Sequence, residues 1–301
     1  MTDHSAHIAK LSESLIDELV GVVGLPKTPF AHRLGWHLFR NITDRLANIG
    51  APFDQIVHDE GLPKAAEWCL SLFCDQVKVQ GVENIPQSGP LLLTTNHPGA
   101  YDGLVIFSKS QRQDIKWIST EIPFLHLLPN LEEHILFASR QDSRGRMVVL
   151  RNAIQHMRDG GVLVYFAAGH RDPDPAVYHG ASQALDNWLD VFDMFFKYIP
   201  GLNVQPVIVS GVVSSHWSGH LLPKLRRKQI DQQRLAEFGQ VISQLMHPGK
   251  IFLTPCVSFG KPFTEEMLRA EIGTQSSQKA VIERAKVLLD DHCRVFGGNP
   301  E

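Results

Sequence analysis

The uncharged run Leu91–Leu92–Leu93–Thr94–Thr95 constrains the fold more than any other segment. It is too short for a buried helix and lacks polar alternation. It therefore reads as a strand covered on both faces, as in parallel sheets flanked by helices. The run stops at Asn96–His97, Pro98–Gly99 turns the chain, and Asp102 stands before a second apolar stretch, Leu104–Val105–Ile106–Phe107. A histidine at a strand end and a carboxylate at the next helix start face one crevice, where open α/β sheets hold their ligands. On a continuous helix His97 and Asp102 would stand about 140° apart. Pro98 and Gly99 disfavour that helix and allow a loop that folds Asp102 back onto the imidazole. Such a carboxylate would fix the ring's tautomer and stabilise the imidazolium. The competing reading makes Asp102 a helix cap and His97 a polar strand end.

The same texture continues on both sides. Val77–Gly81 alternates like a strand, Pro86–Pro90 is a turn, and Ile115–Ser119 is a further strand. Met147, Leu150, Ile154 and Met157 lie at helical spacing between Arg146 and Met157, and Asp159–Gly160–Gly161 ends that helix. Val162–Ala168 and Val207–Val213 are strands, and Ser276–Phe296 is a closing helix with Val281, Ala285, Leu288 and Leu289 inward. This alternation predicts an α/β fold, a mostly parallel central sheet flanked by helices, with an N-terminal helical segment. In that segment, residues 7–23 read as a helix, broken by Gly24, Pro26 and Pro29. A second helix spans Phe30–Ile49, with Phe30, Leu34, Leu38, Ile42, Leu46 and Ile49 in one stripe. Gly50, Pro52, Gly61 and Pro63 punctuate the passage to a third helix near Lys64–Phe73. The expected division is a helical segment over 1–74 and an α/β catalytic domain over 75–301. Arg33, His37, Arg40 and Arg45 lie off the apolar stripe, so the second helix either rests in a lipid interface or packs on the domain.

Composition narrows the function classes. A chain of 301 residues with 43% hydrophobic and 20% charged residues can bury an ordinary globular core. A net charge of −3 offers no global pull towards nucleic acid or anionic lipid. Any such attraction must come from a local patch, and Lys224, Arg226, Arg227 and Lys228 form the densest basic cluster. The four cysteines form no Cys-x-x-Cys pair, and Gly219 within His216–His220 argues against a histidine metal pair. We therefore expect no metal and no cofactor. Met1–Ser5 is polar, and no apolar run approaches the roughly 18 residues of a membrane span. The expected location is cytoplasmic, free or peripheral on the inner face of the membrane.

Asn96–His97, four intervening residues and Asp102 resemble the first motif of the glycerolipid acyltransferases, the group that includes 1-acylglycerol-3-phosphate acyltransferase. Phe137–Ala138–Ser139–Arg140 resembles the second motif, in which phenylalanine and arginine bracket two residues. Phe166–Ala167–Ala168–Gly169–His170–Arg171 is similar to the third, usually Phe-Pro-Glu-Gly-Thr-Arg, and Val204–Gln205–Pro206–Val207 to the fourth, a proline within an apolar strand. The resemblance covers roughly residues 75–215. It departs from the pattern at Ala167 and Ala168, where the family has proline and glutamate. That carboxylate is assigned to acceptor binding.

The resemblance implies acyl transfer from acyl-CoA or acyl-carrier protein to a lysolipid hydroxyl, with His97 as general base and Asp102 orienting it. The acceptor's own oxygen attacks, which agrees with the absence of a Gly-x-Ser-x-Gly elbow. The expected substrate-binding residues are Asn96, Phe137, Arg140, Gly169, His170 and Arg171, the two arginines as phosphate binders. The missing glutamate leaves the acceptor open; exposed turn chemistry is the simplest account of Asp172–Pro173–Asp174–Pro175. Two other readings remain: a catalytically weak lipid-binding or membrane-associated protein on the same fold, and a His–Asp hydrolase of acyl thioesters.

Overall fold

A computed structural model describes residues 2–22, 28–138, 143–272 and 276–301. Helices α1 (Thr2–Val22), α2 (Pro29–Glu60) and α3 (Leu62–Ser71) come first, then β1 (Lys78–Gln80), β2 (Leu91–Thr95) and α4 (Asp102–Ser110). They are followed by β3 (Ile115–Thr120), α5 (Pro129–Glu132), β4 (Ile135–Ala138), α6 (Ser143–Arg158) and β5 (Val162–Phe166). Two short helices, α7 (Ala181–Leu185) and α8 (Phe192–Tyr198), precede β6 (Asn203–Ser210). The chain closes with α9 (Ser215–Ser218), α10 (Leu221–Lys224), α11 (Gln229–Met246), β7 (Cys256–Phe259), α12 (Glu265–Ile272) and α13 (Ser277–Phe296).

The strands form one seven-stranded sheet in the order β1-β7-β6-β2-β5-β3-β4. All neighbours are parallel except β6 and β7. The mostly parallel sheet between helical layers is the expected architecture.

Period-two alternation divides the core. Leu91, Leu93, Val162, Val164, Val207 and Val209 face one cluster, which also takes in α3, α4 and parts of α2 and α11. Leu92, Leu163, Tyr165, Val204 and Ile208 face the other, with residues of α6, α7, α8 and α13. Burial on both faces is why β2 and β5 read as unbroken apolar runs. The fourth-motif Pro206 sits inside β6, where it has no N–H to offer. There the β7 side bulges: Gly260 N donates to Pro206 O, and Val204 pairs beyond it with Phe263.

Two expectations about the N-terminal helices change. The second helix does not stop near Ile49 but continues through Gly50 and Pro52 to Glu60. Gly50 is a contact site rather than a break: a Cβ there would lie 2.8 Å from Phe124 Cζ. Ala51, Phe53 and Val57 are buried around Pro52, and that packing holds the helix together across the proline. The apolar stripe also splits. Leu34 and Leu38 are exposed, whereas Ile42 is buried and Leu46 and Ile49 are packed against the core. Asp54 accepts bonds from Leu131 N and Asn130 Nδ2 at the start of α5, and Arg45 Nη1 donates to Leu245 O at the end of α11. The later part of α2 is thus built into the α/β core. The expected break at Gly24 and Pro26 lies outside the described residues.

Candidate active site

Thr95 pairs with both Phe166 and Val207, so β2, β5 and β6 reach the carboxyl edge of the sheet together. One residue beyond the ladder, the Asn96 side chain imitates a backbone unit. Its Nδ2 donates to Val209 O and its Oδ1 accepts from Val209 N, both at 2.9 Å. Asn96 was expected to bind substrate; it is 2% exposed and its amide is used to pin the strand end. It positions the next residue instead.

That residue is His97. Its backbone N donates to Asp172 Oδ2 at 2.9 Å and its carbonyl accepts from Asp172 N at 2.9 Å, a two-point clamp. The Pro98–Gly99 turn passes so close to β6 that a Cβ on Gly99 would lie 2.8 Å from Val212 Cγ2. A side chain there would push against Val212. The turn returns the chain to Asp102, the first residue of α4, whose Oδ2 lies 2.8 Å from His97 Nδ1 and 2.9 Å from Gly99 N. Its Oδ1 accepts from Gly103 N. With Asp102 ionised, Nδ1 carries the proton and donates. Nε2 makes no hydrogen bond among the described residues and is the nitrogen left for chemistry. The ring packs against Phe166, with centroids 4.6 Å apart. Burial pulls the imidazole pKa down, but the charge and hydrogen bond of Asp102 outweigh it and the net displacement is upward from 6.5.

Gly169 follows β5 with φ +67, a left-handed conformation that glycine adopts freely. Beyond it the acidic turn departs from expectation: Asp172 and Asp174 are buried, not exposed. Asp174 accepts from the backbone N–H groups of Ala176, Gly211, Val212 and Val213 and so ties the loop to the end of β6. Asp172 holds His97; its Oδ1 has no hydrogen-bond partner among the described residues, and burial pushes its carboxyl up to about 6. These carboxylates serve as brackets for backbone donors, a role that requires burial.

The sequence reading missed α11. Its Gln233, Glu237, Gln240 and Gln244 are all buried, spaced four, three and four apart on one face. Gln233 Nε2 donates to Pro98 O and Asp172 O, Gln240 bridges Ser214 N and Val212 O, and Gln244 accepts from Tyr101 Oη. The helix laces together the loops that form the crevice. Glu237 reaches Arg171 Nη1 with its two carboxylate oxygens 2.7 and 2.5 Å away. Burial raises the Glu237 carboxyl pKa against the pull of Arg171.

The structure therefore brings His97, Asp102, Gly169 and Arg171 to one crevice. His170 is exposed there, with Nδ1 3.1 Å from Arg171 O. Ala167 and Ala168 belong to the core on the other face of the sheet. Phe137 lies next to the end of the edge strand β4, three strand spacings or about 14 Å from β2. It stacks on His126, with ring centroids 4.2 Å apart. Arg140 lies outside the described residues. All four cysteines are buried and unpaired. No hydroxyl or thiol side chain is hydrogen-bonded to the imidazole among the described residues.

Residues 76–210, which hold this crevice, match the family model described as Acyltransferase. No curated protein matches the sequence. Among solved structures the chain is similar to the 1-acyl-sn-glycerophosphate (LPA) acyltransferase PlsC from Thermotoga maritima. Identity is 17%, with 97% of this chain and 99% of that chain covered and a TM-score of 0.44. The matched residues include His97 and Arg171, and α11, beyond them, supplies the Glu237 that pairs with Arg171.

Proposed function

We propose that the protein moves a fatty acyl group from a thioester donor, acyl-CoA or acyl-carrier protein, to the hydroxyl of a lysophospholipid or related acceptor. His97 Nε2 takes the hydroxyl proton as the acceptor oxygen attacks the thioester carbonyl, and returns it to the departing thiolate. Asp102 holds the ring and stabilises the imidazolium. The observation that carries this reading is the buried carboxylate on Nδ1 of an imidazole whose Nε2 makes no hydrogen bond among the described residues, within the stretch that matches the Acyltransferase family model. A protein kept only for lipid binding has no need of that pair.

Thiol release from a long-chain acyl-CoA, with and without lysolipids, tests the proposal. Acceptor-dependent release with an equal yield of diacyl product supports it. Equal release without acceptor would make the protein a hydrolase, and no release with either donor would leave the lipid-binding reading.

The same proposal includes peripheral contact with the cytoplasmic face of a membrane. No described helix is long and apolar enough to cross one. Around α10, Leu221, Leu222 and Leu225 are 77%, 51% and 78% exposed. Lys224, Arg226, Arg227 and Lys228, interleaved with them, are exposed and make no ion pair among the described residues. Insertable leucines among cations suit an anionic lipid surface. Serine at all three leucines should reduce co-sedimentation with phosphatidylglycerol vesicles; unchanged binding would exclude this surface.

A further inference from the structure

The charge around His97 bears on what the acceptor can be. Four carboxylates converge on the crevice loops: Asp102 on the imidazole, Asp172 on the His97 backbone, Asp174 on residues 211–213 and Glu237 on Arg171. Of the four, Glu237 alone is ion-paired to an arginine or lysine among the described residues, and that partner is Arg171. Both oxygens of Glu237 engage it, and the Glu237 side chain is 6% exposed. Glu237 also stands beside the catalytic turn, its Oε1 3.7 Å from where a Gly99 Cβ would lie. The third motif has alanine where its resemblance would place an acceptor-binding glutamate, and Ala168 is committed to the other core. The crevice's carboxylate comes from α11 instead, paired with the arginine expected to hold a phosphate.

A guanidinium whose Nη1 meets both oxygens of a buried carboxylate has its charge compensated. A phosphate monoester would have to displace Glu237, or bind beside its carboxylate in a partly desolvated site where repulsion is weakly screened. A hydroxyl with no nearby anion meets no such opposition, and an amine-bearing headgroup is attracted.

We infer that the Glu237–Arg171 pair selects the acceptor, favouring a hydroxylated lipid without a phosphate monoester and disfavouring lysophosphatidate. The inference rests on the acyl-transfer reading and narrows its substrate class. Glu237 acts here as a specificity residue, not as an acid or base in the chemistry.

The test is acyl transfer from one acyl-CoA to monoacylglycerol, to a lysolipid with an amine headgroup and to lysophosphatidate, at matched subsaturating concentrations. The full chain is compared with Glu237→Gln and with the double variant Glu237→Gln/Arg171→Gln. The wild type should favour monoacylglycerol or the amine lipid over lysophosphatidate. Glu237→Gln frees the guanidinium and should raise the kcat/KM ratio of lysophosphatidate to monoacylglycerol at least tenfold. The double variant, which removes both members of the pair, should lose that gain. A wild-type preference for lysophosphatidate, or a ratio unchanged in Glu237→Gln with the chain folded by circular dichroism, would overturn the inference. Absence of transfer to every acceptor would instead overturn the acyl-transfer reading beneath it.

Discussion

Asp172 offers a measurement of how much strain the His97 clamp stores. The residue is 1% exposed; Oδ2 accepts from His97 N, and Oδ1 has no hydrogen-bond partner among the described residues. Burial lifts its pKa from the ordinary 3.8 to about 6, so the native state resists an ionisation that the unfolded chain undergoes freely. A folded pKa above the unfolded one means that the native state binds more protons between those values. Stability therefore falls as pH rises through that window and levels off above pH 6. The full difference between 3.8 and about 6 is worth about 3 kcal/mol. Linkage places about 2 kcal/mol of it between pH 4.5 and pH 7.5. Asp172→Asn keeps an acceptor for His97 N and removes the charge. Its new amide N–H is buried without a partner, a cost of about 1–3 kcal/mol that does not vary with pH. Urea unfolding of both proteins at the two pH values cancels every other titrating group. The variant should gain about 2 kcal/mol relative to wild type on going from pH 4.5 to pH 7.5. A difference that stays flat across that range would show that Asp172 ionises as easily folded as unfolded, and would refute the reasoning.

Three further outcomes follow from the same geometry. Asp102→Asn removes the charge that holds the His97 pKa up while burial still pulls it down. The acid limb of the pH–rate profile should move to lower pH and turnover should fall by about 10²–10⁴-fold; an unmoved limb would separate that limb from His97. Gly99→Ala drives a methyl towards Val212 and should cost about 1–3 kcal/mol of stability together with most of the turnover. Val212→Ala in the same chain should restore part of both, and failure to do so would show that the close approach is not what requires glycine. Deleting residues 1–60 strips Ile42, Ala47, Phe53 and Val57 from the core, so the truncated chain should aggregate in buffer without lipid; a monodisperse, folded product would contradict the packing described for α2.

What could be read from the sequence follows from how each element is buried. β2 and β5 lie between two helical layers, and their apolar runs announce it. In α13, Val281, Ala285 and Leu289 turn inward at helical spacing, as read. The His97–Asp102 pair was legible because its loop is local, five residues from strand end to helix start. Helix α11 was not, because hydrophobic periodicity is inverted there: the buried face holds Gln233, Glu237, Gln240 and Gln244. Four long polar side chains at helical spacing were the available signal, and a helix that laces loops rather than filling a core explains them. The same logic hid Asp172 and Asp174, whose acidic, proline-flanked sequence resembles an exposed turn until their backbone donors are seen. Asn96 was expected at the substrate, and nothing in the sequence signalled that its amide would be bonded to Val209 of the neighbouring strand.

The central claim is that His97 is the base for acyl transfer, and His97→Ala tests it most directly. Acyl-CoA and an accepted lysolipid are incubated with wild-type and variant protein, thiol release and acylated product are followed together, and circular dichroism confirms the fold. The account predicts acceptor-dependent thiol release by the wild type and a loss of about 10²–10⁴-fold in the folded variant. Full acyl transfer by folded His97→Ala would contradict it.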